Sequence, residues 1–235
     1  MKDYTPEIAT SMSKFHLLSL PTAVLSKPGN EAPSRFETVE RWMTGIQSRT
    51  DDDFAQKLVK EWQWLRAELL QEPSTATAEQ KTAIRFIREW TLTHMDCLSL
   101  NILKVGTSSE GKKPIKLIDF EYAGWNPRAA DLANTFCEFC DMNNLKGNYA
   151  KEYPSRETQD EFLTKYLEPC AIEATPEVLQ TLRHEIGRFT LLSHLGWIAW
   201  SLVMDDGASN VDFDYLAYAR HRMDGYEFHK AEFFS

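Results

Sequence analysis

The chain has 235 residues, 43% of them hydrophobic and 26% charged, an ordinary soluble globular composition with length for one sizeable domain or at most two small ones. Its net charge of −9 has no basic stripe to offset it, which excludes nucleic acid as the main partner. Met1-Lys-Asp-Tyr4 lacks an apolar h-region and no apolar run approaches the length of a membrane span, so a cytoplasmic protein is expected.

Residues 6–18 place Ile8, Met12, Phe15 and Leu18 on one helical face, with Pro6 suited to the first turn. His16, beside that stripe, reads as a packed or surface histidine. Residues 20–35 hold three prolines and a Gly-Asn pair and read as a loop. Phe36–Arg49 and Asp53–Leu70 follow as amphipathic helices, Trp42 on the first stripe and Phe54, Leu58, Trp62, Leu65 and Leu69 on the second. Asp51-Asp-Asp53 suits a helix N-terminus better than a metal. Gln71–Thr77 breaks the helical pattern and Ala78–Trp90 resumes it.

Two short apolar runs, Ile102–Val105 and Ile115–Ile118, flank turn formers from Gly106 to Pro114, which predicts a hairpin with a long loop. Pro127-Arg128 then leads into a helix over about 130–142, and Asn143–Pro154 is a polar loop. Thr158–Leu167, Pro176–Met204 and Asp212–Glu227 read as helices, the second long and bent near Gly187 or Gly196, with a loop at Asp205–Val211. Cys97, Cys137, Cys140 and Cys170 are too few for a disulfide framework. Cys137-Glu-Phe-Cys140 has C-x-x-C spacing without a second pair, so buried structural thiols are expected. The fold class read here is α+β and mostly α-helical, with one hairpin and no internal repeat.

The chemistry gathers at one end of that hairpin. With antiparallel pairing, Asn101 and Asp119 become neighbours, roughly 5 Å apart at the backbone if directly opposite. Asp96 lies five residues before Asn101 on the loop feeding the first strand. Magnesium takes oxygen ligands, commonly one or two carboxylates plus substrate phosphates, and Asp119 with the Asn101 amide oxygen fits that role. Asp96 suits the orientation of an acceptor hydroxyl and removal of its proton. The pattern His94-x-Asp96-x-x-x-x-Asn101 followed by Asp119-Phe-Glu121 parallels the protein-kinase H-R-D-x-x-x-x-N and D-F-G pair. Glu121 in place of Gly, with no A-P-E after it, points to the small-molecule relatives of protein kinases.

Four blocks in order resemble the choline/ethanolamine kinase family: the H-x-D-x-x-x-x-N loop; Ile118-Asp-Phe-Glu-Tyr122 with Arg128-Ala-Ala-Asp-Leu-Ala-Asn134-Thr-Phe-Cys-Glu138; Ser193-His-Leu-Gly-Trp-Ile-Ala-Trp200; and Asp212-Phe-Asp-Tyr-Leu-Ala-Tyr-Ala-Arg220. The resemblance covers roughly residues 5–228. It implies a protein-kinase-like C-terminal lobe with a catalytic β-hairpin, over residues 1–235. The catalytic loop and hairpin would span 93–122 and the amine-pocket helices 130–142, 176–204 and 212–227. It implies ATP-dependent phosphorylation of the hydroxyl of choline or ethanolamine, the first step of phosphatidylcholine or phosphatidylethanolamine synthesis, with Mg2+.

The same resemblance makes Asp96 the catalytic base, puts Asn101 and Asp119 on magnesium, and lines an amine pocket with Tyr122, Trp197, Trp200, Tyr215 and Tyr218. Glu138 would balance the cation, a solvated surface charge being the other reading. His94, Arg128 and Asp131 would hold the catalytic loop in place. Aromatic faces are what recognise a quaternary ammonium, while aromatics at helical spacing also serve as plain core. Three departures stand out: Met95 where Asn is common, Leu100 where a smaller or polar residue is usual, and Cys140-Asp-Met-Asn-Asn144 where a further aromatic is frequent. Ahead of residue 90 there is no strand-rich segment, Gly-rich phosphate loop or V-A-x-K-like strand, so the family's small nucleotide lobe is expected to be lacking. Two other readings stand beside this one: a phosphotransferase of the aminoglycoside-kinase type, and a non-catalytic kinase lobe. The oligomeric state, a homodimer included, is open.

Overall fold

The computed structural model describes residues 1–19, 34–47, 52–71, 76–106, 114–140, 144–145, 147–205 and 213–234. The expected loop and turn positions at 20–33, 72–75, 107–113 and 206–211, together with Asp51 and Asp212, lie outside the described residues.

In chain order the elements are α1 (Thr5–His16), α2 (Arg35–Gln47), α3 (Asp53–Leu70), α4 (Ala78–Ile87), β1 (Trp90–Thr93), β2 (Ile102–Lys104), β3 (Ile115–Leu117), β4 (Gly124–Pro127), α5 (Arg128–Cys137), α6 (Tyr149–Glu152), α7 (Arg156–Leu167), α8 (Pro176–Met204) and α9 (Tyr215–Phe233). Several helix starts follow from capping. Asp52 accepts from the N–H groups of Phe54 and Ala55 at 3.0 and 3.1 Å. Thr77 and Gln80 form a reciprocal capping box, and Thr175 caps α8 ahead of Pro176. Each such cap contributes about 1 kcal/mol.

Helix α8 is the axis of the molecule, packed against α2, α3, α4, α5, α7 and α9. Every residue from Glu185 to Ala199 is buried, as expected of a helix covered on all sides rather than along one stripe. Its two glycines admit close neighbours: a Cβ on Gly187 would lie 2.3 Å from the Phe233 ring, and one on Gly196 would lie 2.8 Å from Arg35 Nε. The described buried apolar residues form one main core, with a smaller aromatic cluster around Trp197 and Tyr218.

The hairpin forms as predicted, with Ile102 opposite Leu117 and Lys104 opposite Ile115. A second antiparallel pair was not legible in the sequence: β1 and β4 pair with Trp90 opposite Pro127 and Thr93 opposite Gly124. The helix expected to run to Trp90 therefore ends at Ile87. Four-residue strands leave too short a pattern to outweigh helical periodicity, and only the pairing partner settles them. Helix α5 starts at Arg128, directly after Pro127, and ends at Cys137, while α9 continues past Glu227 to Phe233. No helix among the described residues is long and apolar enough to cross a membrane.

Candidate active site

The β1–β4 pair fixes where the candidate catalytic loop begins. Thr93 donates its hydroxyl to the Gly124 carbonyl at 2.8 Å and accepts from Asn126 Nδ2 at 2.9 Å. Immediately afterwards the chain turns sharply, with Met95 at φ +64°, a left-handed conformation that favours Gly and Asn over Met. Asp131 at the start of α5 holds the turn, accepting from the N–H groups of His94 and Met95 at 2.8 Å each. His94 Nδ1 accepts from the Asp96 N–H at 3.3 Å, which puts the ring proton on Nε2, 2.9 Å from the Ile118 carbonyl. The loop is thereby tied to the second hairpin strand.

Behind Asp131 runs a buried chain of polar groups. His16 Nε2 lies 2.9 Å from Asp131 Oδ2, and His16 Nδ1 lies 2.6 Å from the Tyr166 hydroxyl. Arg128 reaches that hydroxyl at 3.4 Å and pairs with Glu89 at 2.8 Å. Arg128 and Asp131 thus meet through residues from α1 and α7. His16 is packed, as expected. Burial alone would raise the Asp131 pKa, but the His16 contact and the backbone N–H of His94 bring it below the usual carboxylate range.

Asp96 and Asn101 converge. Asn101 Nδ2 lies 2.9 Å from both the carbonyl and the Oδ2 of Asp96, which turns the amide oxygen away from that carboxylate. The Ile118 N–H bonds the Asn101 carbonyl at 3.0 Å, so Asp119 sits one residue beyond Asn101's partner in the ladder. Asp119 is exposed and has φ +63°. Of the three non-glycine residues with positive φ among the described residues, two are Met95 and Asp119, both at this site. Asp96 is 7% exposed. Burial first, then the Glu138 carboxylate, push its pKa up; Arg35 and the Asn101 hydrogen bond oppose them, and the result is about 7.

The predicted aromatic residues form one connected cluster. Trp197 meets Tyr122 and Trp200 edge-on, at centroid distances of 5.1 and 5.6 Å. Trp200 in turn meets Tyr215 at 5.7 Å and Tyr218 at 6.2 Å. Phe213 completes the group, 4.9 Å from Tyr215. Trp197 and Tyr218 are buried, whereas Tyr122, Trp200, Phe213 and Tyr215 are partly exposed. Glu138 forms an ion pair with the buried Arg222 at 2.6 Å, and Arg222 Nε donates to the Tyr218 hydroxyl at 3.0 Å. A cavity of about 670 Å³ lies elsewhere, lined by residues of α6, α7, α8 and α9, and no member of the aromatic cluster lines it.

Three residues here escaped the sequence reading. Asn134 Oδ1 accepts from both Ser193 Oγ and Trp197 Nε1 at 2.8 Å, fixing the indole. Asn134 and Arg222 carry motif signals, standing in or just beyond the quoted blocks. Arg35 carries none. It opens α2, its N–H donates to Asn126 Oδ1 at 2.5 Å, and its guanidinium lies 4.5 Å from the Trp197 ring centroid. Burial and the charge of Arg222 lower its pKa to about 10, which leaves it cationic at neutral pH.

Residues 1–227 match the family model described as choline/ethanolamine kinase. The chain belongs to that family. Ethanolamine kinase 2 of Homo sapiens is 31% identical over 224 residues, covering 93% of this chain and 51% of that protein. A probable ethanolamine kinase of Nematostella vectensis is 29% identical over 240 residues, covering 98% of this chain and 64% of that one. The choline kinase structure from Cryptosporidium parvum superposes with a TM-score of 0.74 at 21% identity, covering 99% of this chain and 66% of that chain, and this likeness speaks to the fold. The chain therefore spans about half to two-thirds of the length of these relatives. Within the choline/ethanolamine kinase motifs, Asp96 and Asn101 are in contact and the Trp and Tyr blocks share one cluster. Cys137 and Cys140 are buried, and burial pushes the Cys137 thiol up to about 12.

Proposed function

We propose that this chain is the protein-kinase-like C-terminal lobe of a kinase that phosphorylates the hydroxyl of choline or ethanolamine with ATP. The observation that carries the reading is Asp96: a buried carboxylate with its pKa near 7, hydrogen-bonded by Asn101 and within the electrostatic reach of Asp119. A general base works best when its pKa lies near the working pH. In the proposed reaction the ionised Asp96 accepts the proton of the amino-alcohol hydroxyl. The hydroxyl oxygen bonds to the γ-phosphorus as the bond to the departing ADP oxygen breaks.

The donor set suits magnesium. The Asn101 amide oxygen faces away from Asp96, and the exposed Asp119 follows Ile118, whose N–H bonds the Asn101 carbonyl, so this end of the hairpin offers two hard oxygen donors. Mg2+, when bound, neutralises phosphate charge. Asn101 and Asp119 would hold it, while Asn101 also orients Asp96. The aromatic cluster and Glu138 are the proposed seat of the ammonium group, and His94, Arg128 and Asp131 the support of the loop.

An ATP-coupled assay with Mg2+ and each amine, run beside calorimetric titration of the amines, tests the reading. Turnover, or saturable binding of either amine that Asp96→Asn leaves intact, supports it. Absence of both turnover and amine binding overturns it.

A further inference from the structure

The aromatic cluster already holds a cation of its own. The Arg35 guanidinium lies 4.5 Å from the Trp197 centroid and 5.5 Å from that of Trp42, the kind of contact by which an aromatic face holds an ammonium ion. The residue is 3% exposed, and its Nε and Nη2 are buried without a hydrogen-bond partner among the described residues. Leaving such donors unpaired is costly, so the placement needs a structural cause. Two are present. The Arg35 N–H is anchored on Asn126 Oδ1, fixing where the side chain starts. Gly196, one residue before Trp197, leaves the room: a Cβ there would stand 2.8 Å from Nε and 2.9 Å from Nη2.

We propose that Arg35 is a specificity-determining residue of the amine pocket, an internal cation that takes the Trp197 face and disfavours quaternary ammonium substrates relative to primary ones. The inference rests on the amine-pocket reading given above. A quaternary ammonium has no N–H to donate and depends on aromatic faces around it. A primary ammonium has three donors and can be held by carboxylates instead. Glu138, paired on one side with Arg222, is the carboxylate that the amine-pocket reading offers to it. Withdrawing one aromatic face therefore weakens choline more than ethanolamine, whereas the repulsion of a nearby positive charge falls on both alike.

Calorimetric titration of the chain with choline and with ethanolamine, for wild type, Arg35→Met and Gly196→Ala, tests this. Arg35→Met keeps an unbranched apolar side chain against the indole and removes the charge. Choline affinity should rise by about tenfold, with a clearly smaller rise for ethanolamine, the scale of one recovered cation–π contact. Gly196→Ala keeps the charge and displaces the guanidinium from the ring, and it should move the choline-to-ethanolamine ratio in the same direction. Being a helix-favouring change, it remains informative should Arg35→Met fail to fold. An unchanged ratio in the folded variants, or equal gains for both amines, overturns the proposal while leaving the amine pocket standing. Absence of binding of either amine to all three proteins overturns the pocket reading and this inference with it.

Discussion

Asn101 and Asp96 are joined twice, the Asn101 Nδ2 lying 2.9 Å from both the carbonyl and the carboxylate of Asp96. The amide thus orients the candidate base and lowers its pKa against the pull of burial. Asn101→Asp removes the donor and adds a like charge. The Asp96 pKa should then climb above about 7, and the rising limb of the pH–rate profile should move to higher pH by about one pH unit or more. A profile unmoved by the substitution would separate Asp96 from the titration that controls the rate.

Asp96 itself opposes stability at neutral pH. Its carboxyl titrates near 7 in the fold against an ordinary 3.8, so the folded state holds the proton more tightly than the unfolded one. The associated stability is fully present below about pH 4 and is lost as pH rises through about 7. Asp96→Asn mimics the neutral form and keeps an acceptor for Asn101. Denaturant unfolding should show the variant about 1–3 kcal/mol more stable than wild type near pH 8 and nearly equal to it near pH 4. Its turnover should be abolished.

Asp131 behaves in the opposite sense. Its pKa is lowered, so its contribution is present above the unfolded carboxylate pKa and is lost as pH falls through the folded value. Asp131→Ala strands the N–H groups of His94 and Met95 and the inward-facing His16 nitrogen. A loss of about 3–5 kcal/mol is expected in equilibrium unfolding at neutral pH. A loss below about 1 kcal/mol would show that the loop stands without it.

Met95 combines a strained backbone with a side chain only 1% exposed. Met95→Ala should cost about 2–5 kcal/mol through the cavity left behind. Met95→Gly creates a similar cavity but releases the left-handed strain, so it should be about 1 kcal/mol more stable than Met95→Ala. That order reverses the usual ranking of Ala over Gly. If Gly proves the less stable of the two, the positive φ carries no measurable strain.

The parts of this fold that the sequence made legible were those with long or punctuated patterns. Helix α8 was predicted with its observed bounds because Thr175-Pro176 marks its start and the apolar run continues for many turns. The hairpin and the contact of Asp96 with Asn101 followed from a spacing tied to a known chemistry. The β1–β4 pair and Arg35 were not legible, and for the same physical reason. Each is defined by a partner distant in sequence, Trp90 by Pro127 and Arg35 by Trp197, and neither partner leaves a trace in the local pattern. The left-handed turn at Met95 was hidden by a residue type that gives no hint of it, where an Asn or Gly would have done so.

The pairing of Thr93 with Gly124 brings together the two ends of the segment from His94 to Ala123. Asp96, Asn101 and Asp119 all lie within this segment, fastened at its base and braced by Asp131. Trp197, Trp200, Tyr215 and Tyr218 lie outside it, on α8 and α9, and Tyr122 alone belongs to both. The residues proposed for the transfer and the aromatic cluster proposed for the amine therefore sit largely on separate parts of the chain. Arg35 on α2 joins the two, because its charge opposes the rise of the Asp96 pKa while its guanidinium lies against Trp197. A substitution there reaches the segment and the cluster at once, whereas α8 meets the segment through the edge-on contact of Trp197 with Tyr122.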